Sequence, residues 1–208
     1  MKLKKEKSHG FDSDEELYFS WYCEELKQSG IITEYVYQPE SYVLSEPIKV
    51  EYEKPLKTKS KTVSVAIMQG HSYTADFKLV WSDDVRGVFF EPFTSYIKNA
   101  PFIANKDDSG HWYSVVDVKP HFDLQNMTRL FTINVKWVMA KYNVFCQKIV
   151  LINKNLNSRD FLFNTTFTPE RFKLTTVSKK PRKIAWSPKT LWEFVDAAKA
   201  KKQSEISL

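Results

Sequence analysis

Cysteine is scarce in this chain. The 208 residues hold two, Cys23 and Cys146, each set among apolar and aromatic neighbours and neither near the partners that a zinc site requires. They read as buried free thiols in a reducing compartment. No apolar run approaches the ~20 residues of a membrane span, and the charged N-terminus is not followed by the apolar segment of a secretion signal. A cytoplasmic protein without a membrane partner is expected. Phosphate-binding glycine loops, the nucleophile elbow and the His-Glu-x-x-His zinc motif are all missing, as are internal repeats and low-complexity tracts. The four histidines, His9, His71, His111 and His121, are scattered, and the two flanking residue 117 are expected at the surface or facing substrate.

What is present is a basic, aromatic-rich chain. With 42% apolar and 15% aromatic residues it can bury one sizeable core and is short for two independent domains. The formal charge of +6 favours an acidic partner, of which nucleic acid is the commonest for a basic protein. Lysines and arginines cluster in Lys2-Leu3-Lys4-Lys5, in Lys179-Lys180-Pro181-Arg182-Lys183, and around Lys54, Lys57, Lys59 and Lys61.

Residues 1–10 carry lysines without apolar periodicity and read as a basic arm. Ser13 with Glu16 three residues on has capping-box spacing, and a helix is expected from about Asp14 to Gln28, stopped by Gly30. Ile31 to Tyr37 and Tyr42 to Leu44 are strand candidates. The stretch from Ser45 to Lys61 reads as a loop, and Val63 to Met68 with Ser72 to Val80 as a hairpin turning at Gln69-Gly70-His71. Residues 82–110 read as an insertion with some packed structure, whose Phe89, Phe90, Phe93 and Tyr96 could equally form core or an apolar patch for a homodimer. His111 to Val118 restores strand alternation. A helix opens at Asn126 or Thr128 and runs to about Tyr142, and Phe145 to Ile152 is an apolar strand. Ser187-Pro188 caps a last helix to about Lys201. The fold class is α/β, a mixed central sheet flanked by helices, with a core over 11–167 and a basic connector and C-terminal helix over 168–208.

Within this order one constellation carries chemistry. Asp76 stands in the aromatic segment Tyr73-Thr74-Ala75-Asp76-Phe77, where a carboxylate is costly to bury without a cation or donors. Asp117 and Lys119 are two residues apart on a strand, so the pleat sends both to one face. Two carboxylates from neighbouring strands, with the backbone carbonyl of Val118, give an all-oxygen set suited to Mg²⁺. A lysine beside it can position a water and offset charge growing on a phosphate, which is what phosphodiester hydrolysis needs. Glu16, projecting from the first helix, could complete the shell. Lys136 and Lys148, and in the basic segment Lys179, Lys180 and Arg182, are candidate nucleic-acid contacts.

Phe11-Asp12-Ser13 with Glu16, then Gly30-Ile31-Ile32, Gln38-Pro39, Tyr73-Thr74-Ala75-Asp76-Phe77 and Val116-Asp117-Val118-Lys119 resemble, in that order, small phage-encoded endonucleases of the PD-(D/E)xK superfamily. With Lys119-Pro120 the order is also similar to the endonuclease subunit of heteromeric Tn7-like transposases. The resemblance implies a restriction-endonuclease-like sheet and a Mg²⁺-dependent DNA endonuclease that also accepts Mn²⁺. It places Glu16, Asp76 and Asp117 at the metal, makes Lys119 the catalytic lysine, and puts Gln38 on the approach to the active site. It departs at Asp117, where glutamate is commoner, and at Ala75, where proline often stands. A phage-encoded member would act in the host cytoplasm. A junction resolvase would need a symmetric homodimer, and a transposase subunit a partner protein. A non-catalytic binding protein on the same fold is the reading from another class.

Overall fold

The computed structural model describes residues 10–95, 100–120, 126–152, 161–177 and 179–206. The basic arm up to residue 9, His9, Tyr96 and His121 lie outside the described residues. Helix α1 (Asp14–Gln28) begins where expected: Ser13 Oγ accepts the Glu16 N–H at 3.0 Å, and Ser13 donates back to the Glu16 carboxylate at 2.7 Å. It ends in a Schellman closure, with Gly30 at φ 72°, the Gly30 N–H on the Lys27 carbonyl and the Ile31 N–H on that of Leu26. Glycine is needed there because a side chain is strained at that φ.

Strands β1 (Ile32–Tyr37), β2 (Tyr42–Ser45), β3 (Ile48–Pro55), β4 (Ser60–Met68), β5 (His71–Tyr73) and β6 (Phe77–Trp81) follow. After a 3-10 turn at Asp83–Val85 come β7 (Phe90–Pro92), β8 (Phe102–Lys106) and β9 (Trp112–Val118). Then follow α2 (Asn126–Tyr142), β10 (Cys146–Ile149), the short helices α3 (Leu162–Thr165) and α4 (Glu170–Leu174), the small hairpin β11 (Thr176–Val177) and β12 (Lys180–Pro181), and α5 (Leu191–Ile206).

The central sheet is mixed and is organised by β9. Along one edge β9 pairs antiparallel with β6, which pairs antiparallel with β1. Its other edge is shared: β8 takes the first half antiparallel, at Asn105↔Tyr113 and Lys106↔Trp112, and β10 takes the second half parallel, from Cys146↔Val115 to Ile149↔Val118. β7 adds outside β8. Asn105, 2% exposed, closes the gap between β8 and β10, donating to the Phe145 carbonyl at 3.0 Å and accepting the Phe145 N–H at 2.7 Å.

Alternation along β9 sorts its side chains into two layers. Val116 and Val118 join Phe19, Tyr22, Leu26, Phe77 and Leu79 in the larger core against α1, while Val115 joins Ala75, Val138 and Cys146 against α2. Both cysteines are free and buried.

Four expectations change. Residues 45–61 are not a loop: Ile48 to Pro55 is a strand, and β4 pairs with it rather than with the segment after Gly70. Pro55 is tolerated because it is the last residue of its strand. The run from Ser72 to Val80 is broken between Tyr73 and Phe77, and β5 pairs with β2. Residues 82–110 supply two strands, β7 and β8, both in the central sheet, and of the aromatics weighed as core or dimer patch Phe89 and Phe90 are fully buried core while Phe93 is half-buried. The last helix is capped by Thr190, whose hydroxyl accepts the Glu193 N–H while the Glu193 carboxylate accepts the Thr190 N–H, instead of by Ser187-Pro188. Among the described residues no helix is long and apolar enough to cross a membrane.

Candidate functional site

Asp76 occupies the break between β5 and β6, so its side chain is released from strand alternation and turns to the C-terminal end of β9. There its Oδ2 accepts the Val118 N–H at 2.6 Å. Asp117, 3% exposed, projects from β9 on the α2 side. Its Oδ2 accepts the Tyr73 hydroxyl at 2.7 Å, and its Oδ1 is contacted by the Lys119 ammonium. Apart from this ion pair, Oδ1 accepts no hydrogen bond. Lys119 is held at the end of the sheet by its own N–H, bonded to the Ile149 carbonyl at 2.9 Å.

Burial and the neighbouring Asp117 carboxylate push the Asp76 carboxyl up to about 8, against the opposing pull of Lys119 and the Val118 N–H. The Tyr73 hydroxyl is raised too, by burial and by Asp117, so it stays a donor. Burial and then Asp117 raise the Cys146 thiol to about 12, which keeps it protonated and removes it as a nucleophile. Two carboxylates side by side in a low-polarity setting, with one ammonium in contact, form an arrangement that a divalent cation relieves and that ordinary packing disfavours.

The remaining candidates separate. Lys148 pairs with Asp117 in the β9–β10 ladder and, by alternation from Cys146, shares its face; it is half-buried. Gln147 is structural, its amide bonded to the Ile103 N–H and the Pro101 carbonyl. Gln38, at φ 48°, donates its N–H to the Asp76 carbonyl at 2.8 Å, and its side-chain amide reaches Asp12 and the Tyr37 hydroxyl. It therefore buttresses the segment bearing Asp76.

Glu16 is placed differently from the expectation. Its carboxylate accepts the Asp12 N–H, the Ser13 hydroxyl and the Tyr37 hydroxyl, at 3.0, 2.7 and 2.6 Å, so its oxygens are committed to the helix start. Among the described residues no three His, Cys, Asp or Glu side chains gather to hold one ion, so Asp76 and Asp117 form a pair. Lys136 is exposed on α2. Lys179 and Lys180 are exposed in the β11–β12 hairpin, but Arg182 is packed: its guanidinium lies over Phe172 and Tyr18, 4.1 and 4.8 Å from the ring centroids, and donates to Tyr18 and Thr175. Those rings belong to the core on the α1 side, the opposite layer from Asp117. His71 bonds Asn134 at 2.8 Å, and His111 is exposed beside Asp107. Tyr73 is the site residue that the strand pattern concealed.

No family model, curated protein or solved structure matches this chain.

Proposed function

We propose that this protein is a divalent-metal-dependent nuclease that hydrolyses phosphodiester bonds in DNA, with Asp76 and Asp117 holding the ion and Lys119 acting on the nucleophile. The observation that carries the reading is the buried Asp117 carboxylate set beside that of half-buried Asp76, with the Lys119 ammonium on Asp117 Oδ1 at the end of the central strand. The donor set is carboxylate oxygen alone, which fits Mg²⁺ or Mn²⁺.

Such an ion supplies a bound water of lowered pKa and a Lewis acid for the phosphoryl oxygen. Asp76, once released from its proton, and Asp117 would hold it. The Tyr73 hydroxyl fixes the rotamer of Asp117 through Oδ2, and the Val118 N–H does the same for Asp76. Lys119, in contact with Asp117, would lend its charge to the attacking water or to a non-bridging phosphate oxygen and offset the growing anion. Lys148, on the same face, supports the phosphate. Glu16 acts on the helix start and contributes no ligand. A restriction-endonuclease-like fold and a cytoplasmic setting accompany this reading.

The test is a panel of labelled linear, flap and four-way-junction DNAs, incubated with Mg²⁺, Mn²⁺ or chelator, using wild type and Lys119→Ala. Cleavage should require the ion, and Lys119→Ala should lower it by about 10²–10³-fold, the scale of losing one charge-stabilising group. Metal-independent cleavage, or equal cleavage by the variant, would sink the mechanism. Inactivity of the purified chain on every DNA, rescued by an added partner protein, would identify it as one subunit of a transposase.

A further inference from the structure

One element of the fold takes no part in the core. Strands β3 and β4 pair only with each other among the described residues, from Lys49↔Ala66 to Pro55↔Ser60, and almost every residue in them is exposed. Eight and nine residues long, they make a projecting ribbon of ~26–30 Å at ~3.3 Å per residue. Its turn is closed by the Leu56 N–H on the Lys59 carbonyl.

The far end of this ribbon is strongly cationic. Lys54, Lys57, Lys59 and Lys61 fall within eight residues that contain no acid, all four are exposed, and none is ion-paired with a described residue. Lys54 and Lys61 are directly opposed across the ladder. Like charges in that position destabilise a strand pair, and this pair sits at the tip of a two-stranded ribbon, which is itself marginal in water. An anion between the two ammonium groups removes the penalty.

Alternation puts Val50, Tyr52, Val63 and Val65 on the same face as that lysine pair, and Lys49, Glu51, Thr62 and Ser64 on the other. One face of the ribbon is therefore apolar along its length and cationic at its tip. We infer that this ribbon is a DNA-gripping arm: it lies in the major groove of duplex DNA, its tip lysines on the flanking phosphates and its apolar face along the groove floor. A two-stranded ribbon fits the ~12 Å major groove of B-form DNA, where apolar side chains meet thymine methyl groups. The deep, narrow major groove of A-form RNA does not admit it. The choice of DNA among polyanions rests on the nuclease reading; the ribbon's shape and charge stand without it.

The test is binding of a labelled DNA duplex to the full chain in chelator, read by fluorescence anisotropy over a salt series. The variants are Lys54→Ser/Lys57→Ser/Lys59→Ser/Lys61→Ser and the matching quadruple arginine replacement. The serine variant should weaken binding about tenfold or more near 0.1 M salt and flatten the slope of log K against log salt by roughly 0.9 for each phosphate no longer neutralised. The arginine variant should bind as wild type does, and duplex RNA of the same sequence should bind several-fold more weakly. Thermal melts no lower than wild type show the variants to be folded, and the serine variant, which removes the opposed lysine pair, should melt at or above wild type. Unchanged affinity and salt slope in the serine variant overturn the arm. So does a ribbon that holds two copies of the chain together, seen if Tyr52→Ser/Val65→Ser converts a dimer to a monomer while DNA binding persists. Because the readout is binding without metal, loss of binding in the serine variant with no cleavage by any form would leave the arm standing and remove the nuclease instead.

Discussion

Asp76 and Asp117 oppose the usual logic of a protein interior, where a carboxylate is neutralised or paired one to one. Lys119 provides one positive charge for two acids, and the folded protein compensates by keeping a proton on Asp76 up to about pH 8. The direction of the resulting stability change follows from linkage. Between its ordinary value of 3.8 and about 8 the Asp76 carboxyl binds a proton in the folded protein that the unfolded chain has released, so folding stability falls as pH rises through that window. In chelator, the melting temperature of the wild type should drop between pH 5 and 8, with a slope of at most ~1.4 kcal/mol per pH unit from this group. Asp76→Asn should flatten that slope, and added Mn²⁺ should restore the wild type at pH 8 but not the variant. An identical slope in Asp76→Asn would place the shifted proton elsewhere. At this scale the sequence is informative where chemistry is local: Asp117 and Lys119 share a face because they are two residues apart. Glu16 is legible as a cap for the same reason, and its three donors, one of them on β1, show why that role and a metal role compete for the same oxygens. Tyr73 was hidden because its bond to Asp117 spans 44 residues and depends on a strand break that apolar alternation does not announce.

At the scale of elements, the site depends on β9 being paired with β10 as far as Val118 while β6 stops opposite Val116, which leaves the Val118 N–H for the Asp76 carboxylate. Two short strands of opposite sense share one edge of β9, and a sheet cannot do this without leaving backbone groups unpaired at the changeover. Asn105 substitutes for the missing strand there, its amide donating and accepting as a peptide group would. Asn105→Ala should cost about 2–4 kcal/mol, since both of its bonds are lost in a buried setting. Asn105→Asp, which keeps the acceptor for the Phe145 N–H but buries a carboxylate against the Phe145 carbonyl, should lose at least as much. Urea unfolding measures both, and a loss under ~0.5 kcal/mol for the alanine variant would mean that the two strands are joined by other means. Helices α1 and α2 and the strands β1, β9 and β10 are readable from capping and from their runs of apolar, aromatic and β-branched residues. Strand β3 is not, since its partner is chosen by the turn at residues 56–59 and its exposed face carries charges that resemble a loop.

Across the whole molecule, the segments that look appended in the sequence are packed into the main core. Leu191, Phe194 and Val195 of α5 are buried with the α1-side residues, and Phe194 meets Phe89 edge-on at 5.2 Å. Phe89 itself comes from the stretch 82–110, so the two regions that read as an insertion and a tail complete one another. Neither shows its burial locally: the first is punctuated by prolines and Asp-Asp pairs, and the second alternates lysine with alanine over its exposed side. Burying three large apolar side chains contributes roughly 1.5–3 kcal/mol each, comparable to the ~5–15 kcal/mol that separates a folded domain from its unfolded chain. Removing residues 187–208 should therefore unfold the protein or lower its melting temperature by well over ten degrees, with α1 lost in the same transition, because Phe89 and Trp81 would be left uncovered. Phe194→Ala provides a graded version, expected to cost about 3–5 kcal/mol. Circular dichroism melts decide the matter. A truncated chain that melts within a few degrees of the full one would show that α5 is a detachable tail, and the central sheet would then have to hold Asp117 in place without it.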